Sequence, residues 1–144
     1  MTAVHIARFA DLSPSVLYQV LRLRSDVFVV EQECAYPDID GRDLESDARH
    51  LWIEKEGEVV AYLRVLNGPP EGASRIGRVV TSPSARSQGL AAVLVHTALA
   101  ETTGPVVLDA QTYLVEWYEQ LGFTVVGDEY LEDGIPHTPM KLER

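Results

Sequence analysis

Between Arg75 and Ala100 the hydrophobic period of the chain changes once, and that change limits what the chain can fold into. "RIGRVVT" (75–81) is a β-rich run, Ser82-Pro83 breaks it, and beyond Gly89 the residues Leu90, Val93, Leu94, Thr97 and Ala98 recur on one helical face. A strand leading through a small-residue loop into an apolar helix places an α/β unit at the centre of the sequence. Gly104-Pro105 is a suitable stop for that helix.

The flanking segments extend the pattern. Val4 and Ile6 predict a short strand. Ser13-Pro14 supplies an N-cap and a favoured first helical residue, and Val16, Leu17, Val20, Leu21 and Leu23 carry that helix to about Ser25. "DVFVVEQECA" (26–35) fits either a second short helix or an irregular segment. "PDIDGRDLESD" (37–47) is acidic and turn-rich and reads as a solvated surface loop. It is not an EF-hand, because Gly41 as sixth residue would make Tyr36 the first ligand.

Arg49–Glu54 and Glu58–Leu66 form a predicted hairpin around Gly57, and Asn67–Ser74 is a loop. Val106–Ala110 is a strand, and Thr112–Leu121 a helix with Leu114, Trp117, Tyr118 and Leu121 on one side and Gly122 at its end. Phe123–Val126 and Thr138–Leu142 complete the sheet. The order β, α(α), β, β, β, α, β, α, β, β predicts an α/β sandwich on a mixed sheet rather than a regularly alternating doubly wound fold.

A length of 144 residues suits one domain spanning 1–144. The net charge of −10 repels phosphates and so argues against nucleic acid as a partner. The same charge either attracts a cationic substrate or simply keeps the protein soluble. No apolar run approaches the roughly 20 residues of a membrane span, and "MTAVH" lacks the basic and apolar regions of a signal peptide. One cysteine, Cys34, rules out an intrachain disulfide and suits a reducing compartment. A cytoplasmic location without a membrane partner is therefore expected. The scattered histidines and single cysteine give no metal-ligand spacing, so no metal is expected.

The loop Arg86-Ser87-Gln88-Gly89-Leu90-Ala91 has two readings. It can be an ordinary helix start. It can also be an anion site, where free N–H groups and the macrodipole meet negative charge, small side chains allow close approach, and Arg86 adds a charge-assisted bond. It is neither a Walker loop nor a Rossmann fingerprint, since it lacks Gly-Lys-Ser/Thr and the partner glycines.

Arg86-x-x-Gly89-x-Ala91 after a strand resembles the Q/R-x-x-G-x-G/A pyrophosphate loop of the GNAT superfamily of N-acetyltransferases. "WYEQLGF" (117–123) resembles that superfamily's aromatic-Tyr-x-x-x-Gly-Phe segment. "LRSDVFVVEQECAYPDIDGRDLESDARH" (23–50) and "EDGIPHTPM" (132–140) look like the ElaA-like branch, so the resemblance covers nearly the whole chain. It implies a mixed sheet of about seven strands with helices on both faces, strands four and five being splayed around the cofactor.

The resemblance also implies acetyl-CoA as donor. Its pantetheine arm would lie on the backbone near Val79, Val80 and Thr81, and its pyrophosphate on the N–H groups of Arg86, Ser87, Gln88, Gly89, Leu90 and Ala91. The sequence departs from the family pattern in two places. Ala91 stands for the more frequent second glycine, and Gln111, seven residues before Tyr118, stands where many members carry Asn. The implied reaction is direct acetyl transfer to a primary amine on a small molecule or a protein, by a monomer or homodimer. The alternative from another class is a non-catalytic acyl-CoA-binding sensor or interaction module. It would share the phosphate loop but not the acceptor-side chemistry.

Transfer to an amine requires a neutral nucleophile, a donor for the developing oxyanion and a proton for the thiolate. A backbone N–H near Val80 could serve the oxyanion. Tyr118 is either a core residue or the proton donor, a phenol of pKa about 10 facing a thiolate whose conjugate acid lies near 8.5. For the base, His137 is a candidate because imidazole is the side chain whose unperturbed form changes charge near neutral pH. Glu31 either lines the acceptor pocket or pairs locally.

Other chemistry-bearing residues read as structural. His50 lies on the sheet face opposite Leu51 and Ile53 and reads as a structural histidine, while His5 and His96 read as incidental. Trp52, Tyr62 and Tyr113 suit core or pocket walls, and Cys34 suits a buried small hydrophobe outside the mechanism.

Overall fold

A computed structural model describes residues 2–144. Eight strands form one mixed sheet: β1 (His5–Ala7), β2 (Arg49–Lys55), β3 (Glu58–Asn67), β4 (Ser74–Thr81), β5 (Val106–Gln111), β6 (Thr124–Val125), β7 (Tyr130–Glu132) and β8 (Ile135–Leu142). The spatial order is β1-β2-β3-β4-β5-β8-β6, with β7 pairing β8. Three helices follow the predicted order: α1 (Pro14–Arg24), α2 (Leu90–Ala100) and α3 (Val115–Gln120).

The Ser13 side chain caps α1 by accepting the Val16 N–H at 3.1 Å, with Pro14 in the first turn. Beyond Arg24 the helix does not stop. Ser25–Glu31 continues it as a π-helical turn, so the ambiguous segment is helical but wider than an α-helix. The helix expected from Thr112 begins instead as a 3₁₀ turn (Thr112–Leu114) before α3.

Helices cover both faces of the sheet. Val20, Leu23 and Val27 pack with Trp52, Tyr62 and Val80 on one face. Leu94, Val95, Tyr118 and Phe123 pack with Leu51, Leu63, Val65 and Met140 on the other. The alternation along β2 and β3 makes this possible, since neighbouring residues face opposite ways. β7 was not expected. It forms a hairpin with β8 across Asp133-Gly134, whose φ values of +51° and +80° suit the primed turn such pairs favour.

The acidic stretch at 37–47 is a surface loop, as expected, with most of its residues exposed, but two of its aspartates turn inward. Asp38 and Asp43 are each only 6% exposed and face the buried guanidiniums of Arg24 and Arg64. Arg24 bonds Asp38 at 2.9 Å and Asp43 at 2.8 Å, and Arg64 bonds Asp43 at 3.1 Å and Asp40 at 2.7 Å. Arg78 completes the set, 2.8 Å from Asp38 and 3.3 Å from Asp40. Two arginines buried inside apolar elements need counter-charges, and this loop delivers them.

Two features open the sheet centrally. β4 and β5 run parallel but pair only at Ser74–Val106 and Arg75–Val107, then diverge. Opposite Leu63, β4 carries an extra residue, because Tyr62 pairs with Val80 but Arg64 with Gly77. Arg78 in this bulge has φ of +53°, a conformation held by its bonds to Asp38 and Asp40.

No helix among the described residues is long and apolar enough to cross a membrane. No group of three or more His, Cys, Asp or Glu among them could hold a metal ion.

Candidate functional site

The divergence of β4 and β5 creates a cleft of about 900 Å³. Its walls include Val79, Val80 and Thr81 from β4, Gln111 from β5, Glu31 and Gln32 from the end of the π-helical turn, and Tyr118 and His137 from beyond β5. Residues spread over more than a hundred positions of sequence thus meet at one opening.

The strand edge facing this gap follows from the ladder. Ser82 N–H bonds Val60 C=O at 2.8 Å, so by the alternation of an antiparallel pair Val80 directs its backbone groups to β3. Thr81 and Val79 turn theirs the other way, into the gap, and Thr81 C=O accepts the Arg86 Nε–H at 3.2 Å. A backbone donor in the gap therefore belongs to a neighbour of Val80 rather than to Val80.

The loop before α2 lies at the wide end of the gap. Ser87 and Gly89 both adopt positive φ, +65° and +75°, folding the chain tightly into the helix. Gly89 is the N-cap and supplies no side-chain cap. The first bond of the helix runs from Val93 N–H to Gly89 C=O at 3.2 Å, which leaves the N–H groups of Leu90, Ala91 and Ala92 without intrahelical acceptors. These three residues, with Ser87, Gly89 and Arg86, line the cleft. A side chain at Gly89 would meet nothing within 4 Å of its Cβ, so there is open space beside the start of the helix. Gln88 departs from the set: its side chain turns away to Lys55 on the β2–β3 hairpin.

Glu31 and Arg86 form a two-pronged ion pair, at 2.8 and 2.5 Å. The Arg86 bond holds the Glu31 carboxyl below the usual carboxylate range, so Glu31 is a poor proton acceptor in this arrangement. Gln111 is likewise engaged, exchanging amide bonds with Gln32 at 3.2 and 3.4 Å.

His137 is better placed to take a proton. Its Nδ1 lies 2.8 Å from Ile135 C=O, an acceptor only, so Nδ1 donates there and Nε2 is the nitrogen left to exchange a proton. Tyr130 stacks on the ring at 6.0 Å.

Tyr118 is 5% exposed, packed edge-on against Trp117 and Phe123, and still lines the cleft. Burial, helped by Tyr113, raises its phenol well above the ordinary value, so it stays protonated at neutral pH.

The remaining candidates lie where a structural role puts them. His50 is buried, with Nε2 3.1 Å from Asp43 C=O and Nδ1 2.6 Å from the Tyr62 hydroxyl. Burial lowers its pKa, and it remains neutral. Cys34 is buried, with Sγ 3.4 Å from Asp133 C=O. His5 and His96 are exposed.

Sequence reading missed Gln32, Arg78 and the aspartates behind it. A signal existed: an arginine inside the apolar run Val59–Leu66 demands an acid, and "PDIDGRD" is the nearest rich supply.

Comparison with known proteins places this architecture among relatives. Residues 22–144 match the family described as acetyltransferase (GNAT) domain. UPF0039 protein Rv2851c of Mycobacterium tuberculosis is 49% identical over 134 residues, covering 90% of this chain and 86% of the relative. The crystal structure of Escherichia coli ElaA superposes with a TM-score of 0.92 at 40% identity, covering 99% of this chain and 100% of that one. An acyl-CoA N-acyltransferase from Pseudomonas aeruginosa superposes equally well, with a TM-score of 0.92, 42% identity and 99% of each chain covered.

Proposed function

From the chain's membership of the GNAT acetyltransferase family, we propose that it moves an acetyl group from acetyl-CoA to a primary amine by direct transfer. One observation carries the reading. The parallel pair β4–β5 opens into a cleft that has free helix amides and Arg86 at one end and a buried, protonated phenol on the other wall.

The residues fit the donor's diphosphate. Leu90, Ala91 and Ala92 offer three N–H groups at the positive end of α2, and Arg86 adds charge. Val79 and Thr81 offer backbone groups to the pantetheine arm. Acetyl-CoA supplies an activated thioester carbonyl, and the chain supplies position and protons.

His137 Nε2 is the candidate to take the proton an amine must lose, because Glu31 is held by Arg86. An outward N–H on β4 beside Val80 polarises the carbonyl. As the C–N bond forms and the C–S bond breaks, charge moves to sulfur, where the Tyr118 phenol donates a hydrogen bond. Burial raises that phenol, so full transfer to a thiolate whose conjugate acid lies near 8.5 runs uphill. Its main contribution is stabilisation of the departing sulfur.

Mixing the protein with acetyl-CoA and a panel of amines while following free thiol tests the reading. Amine-dependent release that falls at least about tenfold in Tyr118→Phe is expected. Tight acetyl-CoA binding with no turnover on any amine would favour the sensor alternative.

A further inference from the structure

Two adjacent side chains at the end of the helix that begins at Pro14 reach across the cleft to opposite walls. Glu31 holds Arg86 on the α2 side, and Gln32 holds Gln111 on the β5 side. The turn that presents them is π-helical, a local widening that concentrates at functional sites. Arg86 is also the cation of the loop assigned above to the diphosphate. Glu31 therefore occupies the guanidinium that a diphosphate needs.

Resting on that reading, we propose that Glu31 is exchanged between two cations. Arg86 holds it in the free protein, the diphosphate of acyl-CoA displaces it, and the released carboxylate then anchors the ammonium of a cationic acceptor. The site for the acceptor is completed only after the donor has bound.

The exchange is favoured on both sides. A diphosphate carries more negative charge than one carboxylate, and it also gains the Leu90, Ala91 and Ala92 N–H groups. The pair it breaks is exposed, with about two-fifths of each side chain in solvent, and exposed pairs are weak. Once released, Glu31 stands at the C-terminal end of a helix running continuously from Pro14, where the macrodipole already places partial negative charge. A cation is needed there. Arg42, Arg64, Arg75 and Arg78, the other arginines lining the cleft, are already paired with acids. An amine-bearing substrate supplies the missing charge.

Calorimetric titration of the whole protein with acetyl-CoA tests this, using Glu31→Gln, Arg86→Gln and the double variant. Glu31→Gln should bind acetyl-CoA about two- to fivefold more tightly, the scale of an exposed ion pair that no longer competes. Arg86→Gln should bind more weakly, and Glu31→Gln should add nothing in that background. S-acetyl-N-acetylcysteamine, which lacks the diphosphate, should bind the wild type and Glu31→Gln alike. With the best amine of the panel, Glu31→Gln should raise the amine KM while donor affinity stays high.

Unchanged or weaker acetyl-CoA binding by Glu31→Gln, or the same gain without Arg86, overturns the exchange. An unchanged amine KM overturns the anchoring step. Failure of the unmodified protein to bind acetyl-CoA overturns instead the acyl-CoA reading on which the exchange rests.

Discussion

Replacing Asp43 by Asn removes one charge from the buried network while keeping its shape. Three arginines and three aspartates balance there: Arg24, Arg64 and Arg78 against Asp38, Asp40 and Asp43. The variant leaves one uncompensated positive charge between guanidiniums that are 1% and 4% exposed. Breaking such a pair generally costs about 3–5 kcal/mol. The lower end applies, about 3 kcal/mol, because each arginine keeps a partner. Arg24 retains Asp38 at 2.9 Å, and Arg64 retains both Asp40 oxygens at 2.9 and 2.7 Å. With an unfolding entropy of roughly 0.3 kcal/mol/K for a chain this long, the melting temperature should fall by about 10 °C.

The pH dependence gives a second check. Burial raises the Asp43 pKa, but its bonds to Arg24 and Arg64 outweigh burial and hold the carboxyl below its usual range. A depressed folded-state pKa contributes stability that is present above the unfolded value, about 3.9, and lost as pH falls through the folded value. Urea unfolding followed by circular dichroism should therefore show a constant gap between wild type and Asp43→Asn from pH 7 to pH 5. The gap should narrow below about pH 4. A variant within about 0.5 kcal/mol of wild type at pH 7, the range of ordinary surface changes, would refute the reasoning. So would a gap that stays undiminished in acid.

Other perturbations separate site from scaffold. Gly89→Glu puts a carboxylate beside the open amides of α2 at a residue with φ of +75°, so acetyl-CoA titration should show binding weakened at least about tenfold. The backbone strain should lower stability by only about 1–2 kcal/mol, read from the thermal midpoint. Tyr62→Phe removes the hydroxyl 2.6 Å from His50 Nδ1 and leaves that buried nitrogen unpaired, which should cost about 1–3 kcal/mol in urea unfolding. His137→Gln should lower kcat at least about tenfold, while steady-state and binding measurements leave acetyl-CoA affinity within about twofold.

The elements that depend on short-range period were legible in the sequence. The β-to-α switch at 75–100, the Ser13-Pro14 cap and the hairpin around Gly57 all appear where the spacing puts them. A side chain's direction on a strand or helix repeats every 2.0 or 3.6 residues, so burial leaves a local imprint. The loop opening α2 was readable for the same reason, since it is one contiguous stretch. β7 was overlooked because its three residues are exposed and carry no alternation, although Asp133-Gly134 was an available turn signal.

Composition placed the 37–47 loop at the surface but missed that Asp38 and Asp43 turn inward, because acidic residues in a turn-rich stretch usually face water. Whether Asp38 meets solvent or Arg24 depends on what lies opposite after folding, and no period records that. The pairing of Glu31 with Arg86 spans 55 residues, and that of Gln32 with Gln111 spans 79. Both exist because β4 and β5 part at the centre of the sheet and one helix end lies across the opening. Charge and amide groups could be named from the chain. Their partners were chosen by the three-dimensional packing, because a side-chain bond depends on distance in space, and distance in space is set by topology rather than by neighbours in sequence.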